Sequence, residues 1–377
     1  MTASIQTKND RYYIVLNWVD SGKRNQKWVK TDLSVTGNNK RKAEQKCIEI
    51  LHEWEGKIAQ CNNYEDILFS EFLNKWLEDT KHTIEDTTYS IYRSIVGNVI
   101  APYFEKRKIK LCDLKAHHIQ DFYSYKMKYD GVTANTIHHY HANIHKALTY
   151  AVKTERIVYN PASNVDLPKK QKHIANYYDV EEMRELLRFA KGHTIEPVVM
   201  LAAWFGLRRG EIVGLKWDCI DFENKTLSVQ GTMTKTSYKE RAKNIASLRT
   251  LPMTEDAVKY LTELKLRQQK NRERLGKHYN NKWNEFVCVK ENGDIMKLDY
   301  VTRTFPELCE KCGLRRLKLH ELRHSNISLL LSDGANLKEI QEWAGHSTYT
   351  TTADIYAHVQ AQNKVRMSSS VEKLLST

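Results

Sequence analysis

Between residues 10 and 35 the chain has a strand-like rhythm of apolar and polar positions. Tyr12-Tyr13-Ile14-Val15-Leu16-Asn17-Trp18 is rich in aromatic and branched residues, Asp20-Ser21-Gly22 is turn chemistry, and Trp28-Val29-Lys30-Thr31-Asp32-Leu33 is a second run. Asn38-Asn39 then leads through Lys40-Arg41-Lys42 into a predicted helix ending at about Gly56. Residues 57 to 66, with Asn62-Asn63, read as a linker. Beyond it the period turns helical. Phe69, Phe72, Leu73, Trp76 and Leu77 recur at threes and fours, so they share one face. Further helices are expected from about Thr87 to Tyr103, from Ile119 to Met127, and from Thr133 onward. In the last of these Ile137, Tyr140, Ile144, Leu148 and Ala151 line one side. The helical stretch closes at Asn160-Pro161.

Val165 to Ala175 is a basic linker that carries Lys169, Lys170 and Lys172. After it, Asp179 and Glu182 form a capping pair for a helix with the stripe Met183, Leu186, Leu187 and Ala190, stopped at Gly192. Val198 to Phe205 is almost wholly apolar, hence a buried helix, and Gly206 releases the turn that bears Arg208. Thr226 to Val229 and Ser247 to Leu251 read as strands around a polar, lysine-rich region. Thr254 opens a long charged helix to about Leu275. Leu322, Ile327, Leu330 and Leu331 mark a helix closed by Gly334, and Asn336 with Glu339 caps a short one ending near Trp343. Gly345 permits a sharp turn that presents His346, and Thr350-Thr351-Thr352 opens a last helix carrying Tyr356. The pattern is multidomain. A small α+β domain is expected over 1–60, an all-α domain over 65–165, and a mainly α domain with a small antiparallel β-sheet over 175–377.

Charge narrows the partners. The chain has 377 residues and a formal net charge of +13, and a soluble chain this basic usually meets a polyanion, most often nucleic acid. A membrane is disfavoured because no apolar run of about eighteen residues occurs. The first residues hold no apolar segment of signal-peptide type. Seven scattered cysteines point to reduced thiols and a cytoplasmic location. Cys309 and Cys312 form the one close pair and lack a second pair to complete a zinc site.

The chemistry concentrates late in the chain. His320-Glu321-Leu322-Arg323-His324, Gly345-His346 and Tyr356 have an upstream complement in Gly206-Leu207-Arg208-Arg209-Gly210-Glu211. Guanidiniums match phosphate oxygens, imidazoles donate or relay protons near neutral pH, and a tyrosine can be a covalent nucleophile. Helical spacing lets His320 and Arg323 face the same way. Arg208 directly follows a buried helix, a poor place for a casual charge, and Arg209 is its fallback. Glu211 is expected to orient an arginine. His320 to His324 also fits H-E-x-x-H, the zinc hydrolase pattern, with Glu339 or Glu342 as a conceivable third ligand. That reading leaves Arg208, Arg323, Tyr356 and the basic charge unused, so no metal and no other cofactor is expected. His138, His139, His141 and His145 are read as a polar helix face turned toward DNA rather than a metal site.

These blocks, in this order and at these separations, resemble the signature of the tyrosine recombinases, the phage integrase family. The resemblance runs over roughly residues 175 to 365. Residues 65 to 165 are similar to the family's core-binding domain, and residues 1 to 60 to the arm-binding domain of integrases from phages and conjugative transposons. It implies a site-specific recombinase that cuts and rejoins DNA through a 3′-phosphotyrosyl link, with Tyr356 as nucleophile and Arg208, His320, Arg323 and His346 around the phosphate. Tyr349 is the nearest rival nucleophile. It also implies a lysine general acid between two strands, for which Lys243 is favoured over Lys235. The implied partners are double-stranded DNA, three further copies in a dimer of dimers, and an excisionase or host DNA-bending protein. Beside such a core, Lys23, Arg24, Lys27 and Lys30 around Trp28 read as phosphate contacts of a sheet docked in a groove, and Lys169 and Lys170 as a backbone crossing. The other readings are a catalytically idle DNA-binding regulator and an enzyme like the type IB topoisomerases.

Overall fold

The computed structural model describes residues 2–20, 23–37, 39–61, 67–170, 176–235, 237–240 and 248–345, without the side chains of 19–20, 23–24 and 52–61. Lys243, His346, Tyr349 and Tyr356 therefore lie outside the described residues. The chain divides into two compact units, Met1–Lys172 and His173–Thr377.

The first unit opens with an antiparallel sheet ordered β1 (Thr2–Lys8), β2 (Arg11–Asp20), β3 (Lys23–Ser34). β1 was not legible in the sequence pattern. Its inward positions are only Ala3 and Ile5, too short an alternation to stand out, and a two-residue turn at Asn9 and Asp10 (φ 50° and 56°) pairs it with β2. Ile14, Val15 and Leu16 are fully buried, as is Ala43 of α1 (Lys40–Cys61), which packs on the sheet. α1 runs on to Cys61, so the expected linker at 57 is helix for its first five positions.

The rest of the unit is helical. α2 (Phe69–Thr80), α3 (Asp86–Ile95), a wider π-type turn at 96–100, α4 (Ala101–Glu105), α5 (Ala116–Tyr129) and α6 (Ala134–Lys153) enclose one core. Phe69, Phe72, Leu73 and Trp76 from α2 meet the Ile137, Ile144 and Leu148 face of α6, all within 1% of full burial. Thr133 caps α6 through its side chain, as the sequence pattern requires.

The second unit contains α7 (Val180–Ala190), α8 (Glu196–Phe205), α9 (Arg209–Val213), β4 (Ile220–Asp221), β5 (Thr226–Val229), β6 (Thr232–Met233), β7 (Tyr238–Lys239), β8 (Arg249–Pro252), α10 (Glu255–Leu275), α11 (Leu298–Lys311), α12 (Leu319–Asp333) and α13 (Leu337–Ala344). β4, β5 and β8 form an antiparallel sheet in that order, and β6 pairs with β7 as a separate hairpin. That hairpin lies in the polar, lysine-rich region between the expected strands, and Tyr238 packs edge-on against Phe286 and anchors the return strand.

Two helices set the geometry of the unit. α8 is apolar on every side and buried, as expected. α12 is also enclosed, by α8, α11 and α13, yet it buries Glu321, Arg323, Ser325, Asn326 and Ser328. Buried polar groups need partners. Asn326 finds them at the end of α8, donating from Nδ2 to the carbonyls of Ala203 (2.7 Å) and Trp204 (3.2 Å). Gly206 then ends α8 at φ 60°. A Cβ there would stand 2.7 Å from Asn326 Oδ1, and Asn326 is held by its own hydrogen bonds. Gly206→Ala is expected to cost about 1–3 kcal/mol from backbone strain alone. A urea unfolding curve with an unchanged midpoint would count against this.

Candidate active site

Arg208 sits at the cap position of α9 in an extended conformation, φ −71° and ψ 150°. Its backbone N–H donates to Glu211 Oε2 at 2.9 Å, and its Nη1 to Glu211 Oε1 at 2.7 Å. One carboxylate thus caps the helix and fixes the guanidinium. Arg249, on the inward face of β8, reaches the same carboxylate with Nη2 at 3.0 Å. Arg323 lies one helical turn after His320 on α12 and is 1% exposed. Its Nη1 donates to the Gly206 carbonyl at 2.5 Å.

The remaining donors converge on one place. Arg249 Nε donates to the Trp343 carbonyl at 2.8 Å, Arg323 Nη2 to the Ala344 carbonyl, and Arg208 Nη2 to the Gly345 carbonyl at 2.6 Å. Three guanidiniums therefore satisfy three successive carbonyls at the C-terminal end of α13, where the helix dipole is negative. Gly345 ends that helix in the left-handed region at φ 64°. Arg208 is the outermost of the three, with its side chain 34% exposed against 7% for Arg249.

The electrostatics follow from this packing. Burial pushes the Glu211 carboxyl up, but Arg249 and then Arg208 outweigh it and hold the group below its ordinary value. Arg323 is pushed down to about 9 by burial and by Arg208, so it stays protonated at neutral pH. Among the described residues Glu211 is the one acid that relieves it, so positive charge is in excess here. Partial desolvation, then Arg323 and Arg208, push the His320 imidazole below its ordinary value, although part of the ring stays open to solvent. The site thus offers fixed cations and a neutral imidazole, suited to an anion that gains charge.

The other expected residues are distributed as follows. Arg209 turns away and donates to Thr302 Oγ1 on α11, so it does not stand in for Arg208. Lys235 lies in the β6–β7 turn, 66% exposed, 3.2 Å from Asp299. Trp28 and Lys30 share one face of the N-terminal sheet with Tyr13, whereas alternation along β3 puts Lys27 on the other face. The expected cluster around Trp28 is therefore split between faces, and the side chains of Lys23 and Arg24 lie outside the described residues. Lys169 and Lys170 are exposed.

One reading of the histidines changes, and the zinc reading stays set aside. The H-E-x-x-H pattern spends its glutamate on structure. Glu321 accepts the Lys318 N–H at 2.7 Å, Glu339 accepts the Asn336 N–H at 2.9 Å, and Glu342 pairs with Lys338 at 3.2 Å. The histidines of α6 do not form an open polar face. His141 bonds to Tyr123 (2.9 Å), His138 to the Pro168 carbonyl (2.9 Å) and His145 to Ser163 (3.2 Å), which leaves His139 exposed. These bonds tie α6 to α5 and to the segment that follows it.

Arg249 was not singled out by the sequence reading. The signal was present: it stands two residues before Leu251 in a strand, so both point to the same side. Leu251 and its cross-strand partner Leu227 are buried, and an arginine on that side must find an acid.

Residues 176–363 match the family described as "Phage integrase family", and residues 68–127 match "Phage integrase, N-terminal SAM-like domain". The chain is 27% identical over 349 residues to a protein named "Tyrosine recombinase XerC-like" from Caldanaerobacter subterraneus, covering 87% of this chain and 88% of that one. It is 27% identical over 368 residues to the "Prophage ps2 probable integrase" of Lactococcus lactis, covering 88% and 90%. The fold is similar to that of the Tn1549 transposon integrase, solved in complex with transposon right-end DNA. The TM-score is 0.63 at 19% identity, over 80% of this chain and 100% of that one.

The depressed histidines give a sign for acid stability. His118, His141, His193 and His320 are all pushed down by burial. Below about pH 6.5 the unfolded chain therefore binds more protons than the folded one, and stability falls with pH. The melting temperature is expected to drop as pH falls through that value, and less steeply in His320→Gln. An equal slope in both proteins would exclude a His320 contribution.

Proposed function

The chain belongs to the phage integrase family of tyrosine recombinases, and from that premise we propose that it cuts and rejoins DNA at specific sites through a 3′-phosphotyrosyl intermediate. The observation that carries this reading is the excess of positive charge around Arg208 and Arg323. A phosphodiester under attack becomes five-coordinate, and negative charge grows on its non-bridging oxygens. Fixed donors at those oxygens lower the barrier by about 2.7–4 kcal/mol each. Arg208, half-open to solvent and already pinned by Glu211, meets the phosphate directly. Arg323 lies behind it with its charge relieved only in part. His320, kept neutral, can donate a hydrogen bond or relay a proton near neutral pH. His346 and Tyr356, from the segment after Gly345, complete the set as phosphate ligand and nucleophile.

Bond energy is retained in the tyrosyl link, so a free 5′-hydroxyl can attack it and rejoin the strand without ATP. Recombination between two sites needs four such exchanges, which fits four copies on double-stranded DNA as a dimer of dimers. In this reading residues 1–60 bind distal arm sites, 65–165 hold the core site, and 175–377 carry the chemistry. An excisionase or a host DNA-bending protein would set the direction. The exposed Trp28 and Lys30, on one face of a small sheet, support the first of these assignments.

Tyr356→Phe removes one hydroxyl and is expected to leave DNA binding intact while abolishing covalent capture on a nicked suicide substrate made from the element's own end. Denaturing gels for the adduct and native gels for binding read the two properties on one protein. A persisting adduct would move the nucleophile to Tyr349.

The leaving 5′-oxygen needs a proton, and Lys243 is assigned that role over Lys235. A substrate with sulfur at the bridging 5′ position leaves readily as thiolate. Lys243→Ala should therefore cleave ordinary DNA about 10²–10⁴-fold more slowly and the sulfur substrate nearly as fast as wild type. Rescue seen with Lys235→Ala instead would transfer the role to Lys235. Rescue with neither would put the acid elsewhere.

A further inference from the structure

Arg249 makes contacts that no assigned role uses. It is 7% exposed on its side chain, lies on β8, and holds two other elements at once. Its Nη2 reaches Glu211 Oε2 at 3.0 Å and its Nη1 reaches Glu211 Oε1 at 3.4 Å, a forked grip on one carboxylate. Its Nε donates to the Trp343 carbonyl at 2.8 Å. Glu211 in turn holds Arg208 through both its backbone and its guanidinium, and Arg208 reaches the next carbonyl but one, Gly345. The chain of contacts is closed: β8 to α9 to the end of α13 and back to β8.

A carboxylate shared by two guanidiniums behaves differently from one that serves a single arginine. Arg208 alone could swing with Glu211, because the α9 cap position is followed by a helix of only five residues. Arg249 removes that freedom, since it ties the carboxylate to a strand whose cross-strand partners Leu227 and Val229 are buried. It also keeps Glu211 ionised. Arg249 is the largest favourable influence on that carboxylate, ahead of Arg208. A protonated Glu211 would lose most of its hold on Arg208.

We propose that Arg249 is a positioning residue for strand cleavage, which sets the guanidinium of Arg208 through Glu211 and locks both to the C-terminal end of α13. This rests on the recombinase reading above. It assigns Arg249 no contact with DNA. Its effect is on where Arg208 stands when the phosphate arrives.

The test is single-turnover adduct formation on the nicked suicide substrate. The proteins are wild type, Arg249→Ala, Arg249→Lys, Glu211→Gln and the double variant Arg249→Ala/Glu211→Gln. Arg249→Ala is expected to slow capture about 10²-fold, the scale of a misplaced reacting group. The loss should deepen as pH falls, because without Arg249 the buried Glu211 takes up a proton more readily than in wild type. The double variant should be no slower than Glu211→Gln alone and should lack that pH dependence. A purely structural role would add the two losses and leave the pH profile unmoved, which would overturn the proposal. Should Arg249→Ala fail to fold, Arg249→Lys decides. It keeps the charge but loses the fork, and it is expected to melt like wild type and cleave at least tenfold more slowly. Wild-type rates there would overturn the proposal too. If wild type itself forms no adduct, the recombinase reading falls and the inference with it. Equal adduct from wild type and Arg249→Ala removes the inference alone.

Discussion

Arg208, Arg249 and Arg323 share one carboxylate, Glu211, and otherwise donate to backbone carbonyls, and that choice of acceptor governs the second unit. A buried guanidinium needs acceptors for its donors, and carboxylates would satisfy them most strongly. Three acids, however, would neutralise the site and leave nothing for an incoming anion. Carbonyls at the end of α13 satisfy geometry without cancelling charge, and among the described residues Glu211 supplies the one full counter-charge. The cost appears at Arg323, whose protonated form is disfavoured by burial and by its neighbour. An anion that binds beside Arg208 relieves that strain in charge. The site is therefore electrostatically unfinished by construction.

The rest of the unit follows from keeping these groups in register. α8 must be apolar on all sides because α12 lies against it, and α12 must be polar on part of its buried surface because it carries Arg323. Asn326 reconciles the two, capping the end of α8 from within α12. That contact leaves no room for a side chain at Gly206, whose carbonyl then receives Arg323. The chain entering α9 is thus fixed by the same helix that supplies the second arginine. β8 contributes its arginine because a strand facing the core cannot turn a side chain toward solvent without changing register.

Much of this was legible in the sequence. Capping pairs at Asp179–Glu182 and Asn336–Glu339, the cap at Thr254 and the stops at Gly206 and Gly334 are local chemistry, and local chemistry survives tertiary context. The apolar stripe of α6 was readable for the same reason. What was missed depends on partners distant in sequence. β1 has only Ala3 and Ile5 as apolar signal and is held by the ladder that β2 offers it. The α6 histidines looked solvent-facing, but α5 and the segment after Asn160 return to meet them. Arg249 gains its meaning only from Glu211, 38 residues earlier, which accepts from it. The H-E-x-x-H letters are a contrasting case: the zinc reading is set aside on the sequence, and Glu321 is taken by the helix cap.

Among the described residues, the parts of the site come from four separate stretches: the start of α9, the strand β8, the first turn of α12 and the end of α13. No two of them can assemble it alone. Arg208 has a local partner in Glu211, but that pair without Arg249 and the α13 carbonyls is an ordinary surface cap, worth about a kilocalorie or less. Arg323 has no local acceptor at all, since Gly206 and Ala344 reach it only when α8 and α13 have packed. Breaking such buried arrangements costs about 3–5 kcal/mol, so they form together or not at all. The arginine cluster therefore arises only when all four stretches have packed. For an enzyme that breaks both strands of a genome, that coupling is a safeguard supplied by packing rather than by a separate switch.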